Sequence, residues 1–151
     1  ATDYFPTEVK WGYIDQTGKV VINPDFDDNR NFHEGLAAVR KGSKWGYINP
    51  KGAVIIPLSY KGAWAFKEGV ARVKTFDDKM GCIDHKGNWV VPPSIEELAD
   101  FSEGLAVFRK GINYGFIDKT GQEKIGAIYT PLIIDSLIYF QGEYQADIPS
   151  K

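Results

Sequence analysis

Three glutamates recur at near-equal spacing: Glu34, Glu68 and Glu103. Paired carboxylates serve general acid–base hydrolysis, but that chemistry needs two carboxyls in unlike environments, one kept protonated and one ionised. Each of these three sits in the same motif, Phe-x-Glu-Gly, so their surroundings match. The expected role is local hydrogen bonding beside the glycine. The two histidines, His33 and His85, and the sole cysteine, Cys82, occupy three different places in the pattern, whereas a zinc site needs three or four convergent ligands. Cys82 stands where Tyr13, Tyr47 and Phe116 stand, which marks a buried packing residue and not a nucleophile. Asp25, Asp27 and Asp28 form a small acidic cluster without the twelve-residue loop pattern of a calcium site, and read as a solvated loop. The chain has no Gly-x-Ser-x-Gly, Ser-x-x-Lys, phosphate loop or His-Glu-x-x-His. The sequence therefore predicts no catalytic residue, no metal site and no cofactor.

The elements that carry these residues follow one ruler. Trp11-Gly12-Tyr13-Ile14-Asp15 returns as Trp45-Gly46-Tyr47-Ile48-Asn49, then as Met80-Gly81-Cys82-Ile83-Asp84 and Tyr114-Gly115-Phe116-Ile117-Asp118. Phe32, Phe66 and Phe101 open the landmark that ends in Gly35, Gly69 and Gly104. A third column is the turn glycine: Gly18, Gly52, Gly87 and Gly121. With Gly42 and Gly111, thirteen of the sixteen glycines stand in repeat columns, the exceptions being Gly62, Gly126 and Gly142. Such self-similarity identifies a repeat architecture.

Each unit reads as three short strands. Leu36-Ala37-Ala38-Val39-Arg40, Trp45-Gly46-Tyr47-Ile48 and Ala53-Val54-Ile55-Ile56 are rich in strand formers and bounded by Gly42, Gly52 and Pro57. Connections this short specify an antiparallel meander. The turn glycine is expected to take a positive φ at a bulge, with Asp15, Asn49, Asp84 or Asp118 accepting backbone N–H groups. Ser94 and Glu97 fit a capping box, so a single helical turn is expected in that connector. The fourth unit decays after Gly121: Glu123-Lys124 replace apolar residues and Gly126-Ala127 replace the proline. Ile128 to Phe140 reads as a closing strand pair or cap, with Phe140-Gln141-Gly142-Glu143 as a worn landmark.

The expected fold is all-β: an open stack of short three-stranded antiparallel meander units, solenoid-like or rotor-like. Three complete 34-residue units are too few for a closed propeller. The expected division is a partial preceding unit over 1–10, repeats over 11–44, 45–79 and 80–113, and a degenerate fourth repeat with its cap over 114–151, all in one domain.

Charge and hydropathy narrow the function. Eighteen basic residues against twenty acidic ones leave a formal charge of -2, without the basic excess of a nucleic-acid binder. The apolar run Leu132-Ile133-Ile134 and Leu137-Ile138-Tyr139-Phe140 is short and split by Asp135, so no membrane insertion is expected. The chain begins at Ala1, without an initiator Met or a signal-peptide pattern, so the sequence leaves its compartment open.

The recurring Trp-Gly, the Tyr-Ile-Asp behind it, the x-x-Gly-Lys turn, Val-Val-Ile-x-Pro and Phe-x-Glu-Gly-Leu-Ala-x-Val together resemble the WG (KWG) repeat family, which is mostly bacterial. The resemblance covers residues 10 to about 126 and departs from the pattern at Met80 and Tyr114. It implies an all-β repeat architecture, a binding role without catalytic residues, and a location that extends to exported and cell-envelope proteins. The positions that carry it, Trp11, Gly12, Trp45, Gly46, Met80, Gly81, Tyr114 and Gly115, are expected to form the structural frame with the Phe and Gly columns. The tryptophans should pack between units while the glycines let backbone approach.

Function in a repeat protein lies where units differ. Trp64 breaks a column otherwise held by Arg30 and Ala99, Trp89 replaces Val20 and Val54, Phe76 lies in an enlarged turn, and Tyr60 lies in a connector. These four are the interface candidates. The leading expectation is a non-enzymatic module for a protein partner, in its sharpest form an inhibitor or immunity-type factor. The alternatives are a carbohydrate- or cell-wall-binding protein with weak hydrolase chemistry, for which a glycan would be the ligand, and a structural spacer in a larger secreted protein. Exposed Trp64, Trp89 or Tyr60 lining a groove beside two close carboxylates would favour the glycan.

Overall fold

The computed structural model describes residues 9–129, and all their regular structure is β. The first sheet pairs Trp11–Ile14 (β1) with Val20–Phe26 (β2). The second holds Asp28–Asn29 (β3), Ala37–Lys41 (β4), Lys44–Ile48 (β5) and Val54–Tyr60 (β6) in that order. The third repeats it with Gly62–Ala63 (β7), Ala71–Lys74 (β8), Met80–Ile83 (β9) and Trp89–Ile95 (β10). The fourth does so with Glu97–Leu98 (β11), Leu105–Lys110 (β12), Asn113–Asp118 (β13) and Glu123–Tyr129 (β14). Every pairing is antiparallel, and the sheets follow one another as an open stack of meanders, not a closed propeller. The expectations for Ala1–Lys10 as the end of a preceding unit, and for the tail beyond Tyr129, fall mainly or wholly outside the described residues.

Two expectations need correction. Each full sheet has four strands, not three, because the connector supplies a two-residue strand one residue after the long outer strand ends. Asp27, Lys61 and Glu96 form those corners. The capping box at Ser94 and Glu97 is not made. Pro92-Pro93 keep the chain extended through Ile95, and the Glu97 carboxylate pairs with Arg109 Nε at 2.6 Å.

The Trp-Gly glycines explain the sheet geometry. The outer strand bulges against the glycine of the strand beside it, so two residues, Trp45 and Tyr47, face Tyr60 and Ile56 across a shifted register. A Cβ on Gly46 would lie 2.6 Å from the Ile56 carbonyl oxygen, and the same clash recurs at Gly12, Gly81 and Gly115 at 2.3–2.5 Å. No other residue lets the bulged strand approach so closely.

The cores lie between sheets. Trp45, Tyr47 and Ile56 of the second sheet pack against Phe66, Val73 and Ile83 of the third, and Ile22 and Phe26 of the first pack against Val39 and Ile48 of the second. Tyr47 is fully buried, and its hydroxyl donates to the Trp64 carbonyl at 2.6 Å. Burial pushes that hydroxyl well above its usual range, so it stays a donor. Tyr13 makes the same bond to the Arg30 carbonyl at 2.7 Å.

Candidate binding surface

Loops alternate between the two ends of the sheets. One end carries the Phe-x-Glu-Gly turns and the Asp turns; the other carries the tight hairpins and the corners. At the first end, each Asp turn closes on itself. Asp15 Oδ1 accepts from the amides of Thr17 (2.9 Å) and Lys19 (3.0 Å), and Asn49, Asp84 and Asp118 do the same. The turn glycines have φ of 86–89°, as expected of a bulge. The hydroxyl of Thr17 and the amide of Lys19 hold the Asp15 carboxyl below its usual range, while the amides of Asn88 and Lys86 do so for Asp84.

The glutamates act differently from the local role expected of them. Glu34 and Glu68 each reach into the next unit. Glu34 Oε1 accepts the Gly69 amide at 3.0 Å and lies 2.9 Å from His85 Nε2. Glu68 accepts the amides of Glu103 (2.6 Å) and Gly104 (2.9 Å), with Lys119 Nζ 3.6 Å away. Burial pushes the Glu68 carboxyl up, but those amides and the Lys119 ammonium outweigh it and hold it below its usual range. These carboxylates are joints between sheets. The paired geometry of a glycosidase is not assembled from them.

Cys82 is buried, and burial pushes its thiol up to about 12, so it is no thiolate. Among the described residues no three His, Cys, Asp or Glu side chains come together to hold a metal. The acidic cluster is not simply a solvated loop either. Asp27 sits at a corner, accepts the Gly42 amide at 2.6 Å and pairs with Lys10 at 2.5 Å. Glu96 repeats this on Gly111 at 2.8 Å. In the third sheet the charges are reversed: Lys61 holds the corner and pairs with Asp78, which takes φ 63° where the other hairpins use glycine. Asp tolerates that conformation. The connection is one residue longer here, since Val73 pairs with Gly81 where Val39 pairs with Gly46, which accounts for the 35-residue step.

Trp45 is 7% exposed and Met80 4%, and the Arg30 guanidinium lies over the Trp45 ring at 4.9 Å. Trp11, in the first sheet, is 50% exposed, so there the indole does not pack between units. Phe66 and Phe101 are buried and Phe32 is half-buried against Tyr13.

The four interface candidates separate. Tyr60 is buried and its ring edge meets Trp89, so it offers little to a partner. Trp64 is half-buried: it packs on the core that contains Met80 and lies under the Arg72 guanidinium at 4.7 Å. It accounts for Gly62, one of the three glycines outside the columns, because a Cβ there would meet the Trp64 ring at 2.9 Å. Phe76, at the hairpin tip, is 51% exposed and Trp89 is 42% exposed. They lie at opposite ends of the third sheet and do not form one groove. The arrangement asked of a carbohydrate site is thus not assembled among the described residues.

Column reasoning missed a surface. The outer strands begin with exposed apolar pairs, Val20-Val21 and Val54-Ile55, continued by Trp89. Between them stand the Asp turns, since Gly52 abuts Ile22 and Gly87 abuts Ile56. The exposed apolar residues thus recur on three successive sheets with an Asp turn between each, and Glu123-Lys124 end the row in the fourth. The signal was present as an apolar pair after three of the four turn glycines, but strand formers there read equally well as core.

The model of the WG-containing repeat matches residues 11–45, 45–79 and 80–111. The chain belongs to the WG-repeat family. No curated protein matches it. Among solved structures, the WG-repeat chain resembles the computationally designed Ika8 protein at 17% identity, covering 78% of this chain and 42% of that one with a TM-score of 0.50. It also resembles BamB from Moraxella catarrhalis at 13% identity, covering 75% and 40% with a TM-score of 0.51. At such identities the likeness is one of fold. The WG-repeat chain spans about two fifths of the length of either structure. Among the described residues no helix is long and apolar enough to cross a membrane.

Proposed function

We propose that this chain is a non-catalytic binding module that presents the outer edge of its β-repeat stack to a protein partner. The observation that carries this reading is the exposed apolar edge of Val20, Val21, Val54, Ile55 and Trp89, each 42–54% exposed. A row of apolar residues on successive units is what a protein interface needs and what a free surface usually avoids. The recurring acidic residues support the same reading from the other side. The Asp turns and the Glu joints use their carboxylates on the frame, which leaves them no chemistry to perform. Pro24, Pro57 and Pro92 lie within the outer strands and remove a backbone donor from each, which discourages strand addition there, so the partner meets side chains and not a sheet edge.

The test is affinity capture from the native source, comparing the wild-type chain with an Ile55→Glu, Trp89→Glu variant. A stoichiometric protein retained by the first and lost by the second supports the reading. Recovery of glycans alone, or equal recovery of the same protein by both, contradicts it.

A further inference from the structure

Phe76 stands exposed at the tip of the β8–β9 hairpin and has no part in the outer edge, since it lies at the opposite end of its sheet. The next hairpin, β12–β13, carries a second apolar tip. Lys110 pairs with Asn113 across it, so Gly111 and Ile112 alone form the loop. Ile112 is 83% exposed, the most of any large apolar side chain among the described residues. The two hairpins belong to successive sheets and stand side by side. The Gly111 amide, the Arg109 guanidinium and the Lys79 ammonium together hold the Glu96 carboxyl below its usual range, so one corner carboxylate feels both hairpins.

The charge around these tips is one-sided. Lys10 pairs with Asp27, Lys61 with Asp78, and Arg109 with Glu96 and Glu97, so the corners are largely neutralised within themselves. On the three hairpins this leaves Arg40, Lys41, Lys44, Lys74, Lys79 and Lys110 against the carboxylate of Asp77, which accepts the Thr75 hydroxyl. The whole chain has a formal charge of -2, so the basic excess is local to this end.

A protein interface gathers its apolar side chains into one patch with few charges at its centre. Here they project from separate turns, and each is fenced by ammonium groups. That form suits a fluid phase that closes around each tip, apolar below its headgroups and negative at them. We infer that the hairpin end of the stack docks peripherally on an anionic lipid surface. Phe76 and Ile112 enter the acyl boundary, and the six cations meet the lipid phosphates. The lysine stems lie along the boundary and keep their ammonium groups at headgroup level. The Gly42-Ser43 tip adds charge without an anchor. Only side chains enter the lipid, and no segment crosses it. The inference goes beyond the protein-binding reading, and the outer edge stays open to a partner because Trp89 lies at the end of the sheet remote from Phe76.

The test is flotation of the full chain with vesicles of phosphatidylcholine alone, and of phosphatidylcholine and phosphatidylglycerol in equal parts. The expected result is binding to the anionic vesicles that weakens with added salt, and little binding to the neutral ones. Phe76→Ser with Ile112→Ser should bind roughly tenfold or more weakly, since both apolar anchors are lost. Lys74→Gln with Lys79→Gln should bind more weakly and with a smaller salt dependence. All four changes are near hairpin turns, so Tm should match the wild type. A polarity-sensitive dye on Phe76→Cys should shift to the blue on anionic vesicles, Cys82 being buried and unlabelled. Failure to bind anionic vesicles, equal binding by the apolar double variant, or a dye that stays in water would overturn the inference. So would loss of a soluble protein partner by that variant without any vesicle binding, which would make the tips a protein contact. The Ile55→Glu, Trp89→Glu variant should bind vesicles as the wild type does, so this claim and the outer-edge reading fail separately.

Discussion

The Glu34 carboxylate accepts the amide of Gly69, 35 residues further along the chain, at 3.0 Å. One unit is thereby fastened to the next by a bond that recurs from Glu68 to Gly104. Glu68→Gln should lower stability by about 1–2 kcal/mol at neutral pH, because two amides and Lys119 lose a charged acceptor that is only partly shielded from water. Chemical denaturation with an unchanged m-value would check it.

The acid dependence follows from the same groups. Asp15, Asp84, Asp118 and Glu68 all have folded values below their usual range. Their contribution is therefore full above about pH 5 and is lost as pH falls through the depressed folded values. Asp84→Asn should keep its turn at pH 7, since Asn49 accepts the same two amides, and should flatten the loss of Tm in acid. A thermal melt series from pH 7 to pH 2.5 reads both effects.

Gly46→Ala should cost about 3 kcal/mol or more, because the new methyl meets the backbone of β6 and not a movable side chain. Gly42→Ala, with open space around it but φ 61°, should cost about 1–2 kcal/mol. The ratio of the two separates close approach from backbone conformation.

Gly62 and Trp64 should be coupled. Gly62→Ala displaces the indole, so its cost should shrink by about 1 kcal/mol when Trp64 is already Ala. A double-mutant cycle measures the difference, and simple additivity would contradict the contact.

The frame was legible wherever a column of one residue type had a single physical cause. Gly12, Gly46, Gly81 and Gly115 announced close approach, and Asp15 with Gly18 announced the bulged turn. The partner of Glu34 was not legible, because spacing shows which residues recur and not which unit a side chain reaches. A two-residue strand such as Gly62–Ala63 is too short to leave a period in the sequence. Ser94 and Glu97 misled for a related reason: the capping pattern was present, but Pro92-Pro93 and the pairing of Ile95 with Met80 commit the chain to an extended path. Tyr60 shares a column with Phe26 and Ile95, and all three end long outer strands and are buried, which removes Tyr60 from the interface candidates. The outer apolar edge escaped because Val54-Ile55 has the composition of a core strand. Only the open side of β6 makes it a surface.

The most direct test of the central claim separates edge from frame with one purified partner. Affinity and melting temperature are measured for the wild type, for Ile55→Glu with Trp89→Glu, and for Glu68→Gln. The account predicts that the edge variant loses at least about tenfold in affinity, or 1.4 kcal/mol, with its Tm nearly unchanged. Glu68→Gln should keep its affinity and lose Tm. An edge variant that binds as well as the wild type would contradict the account.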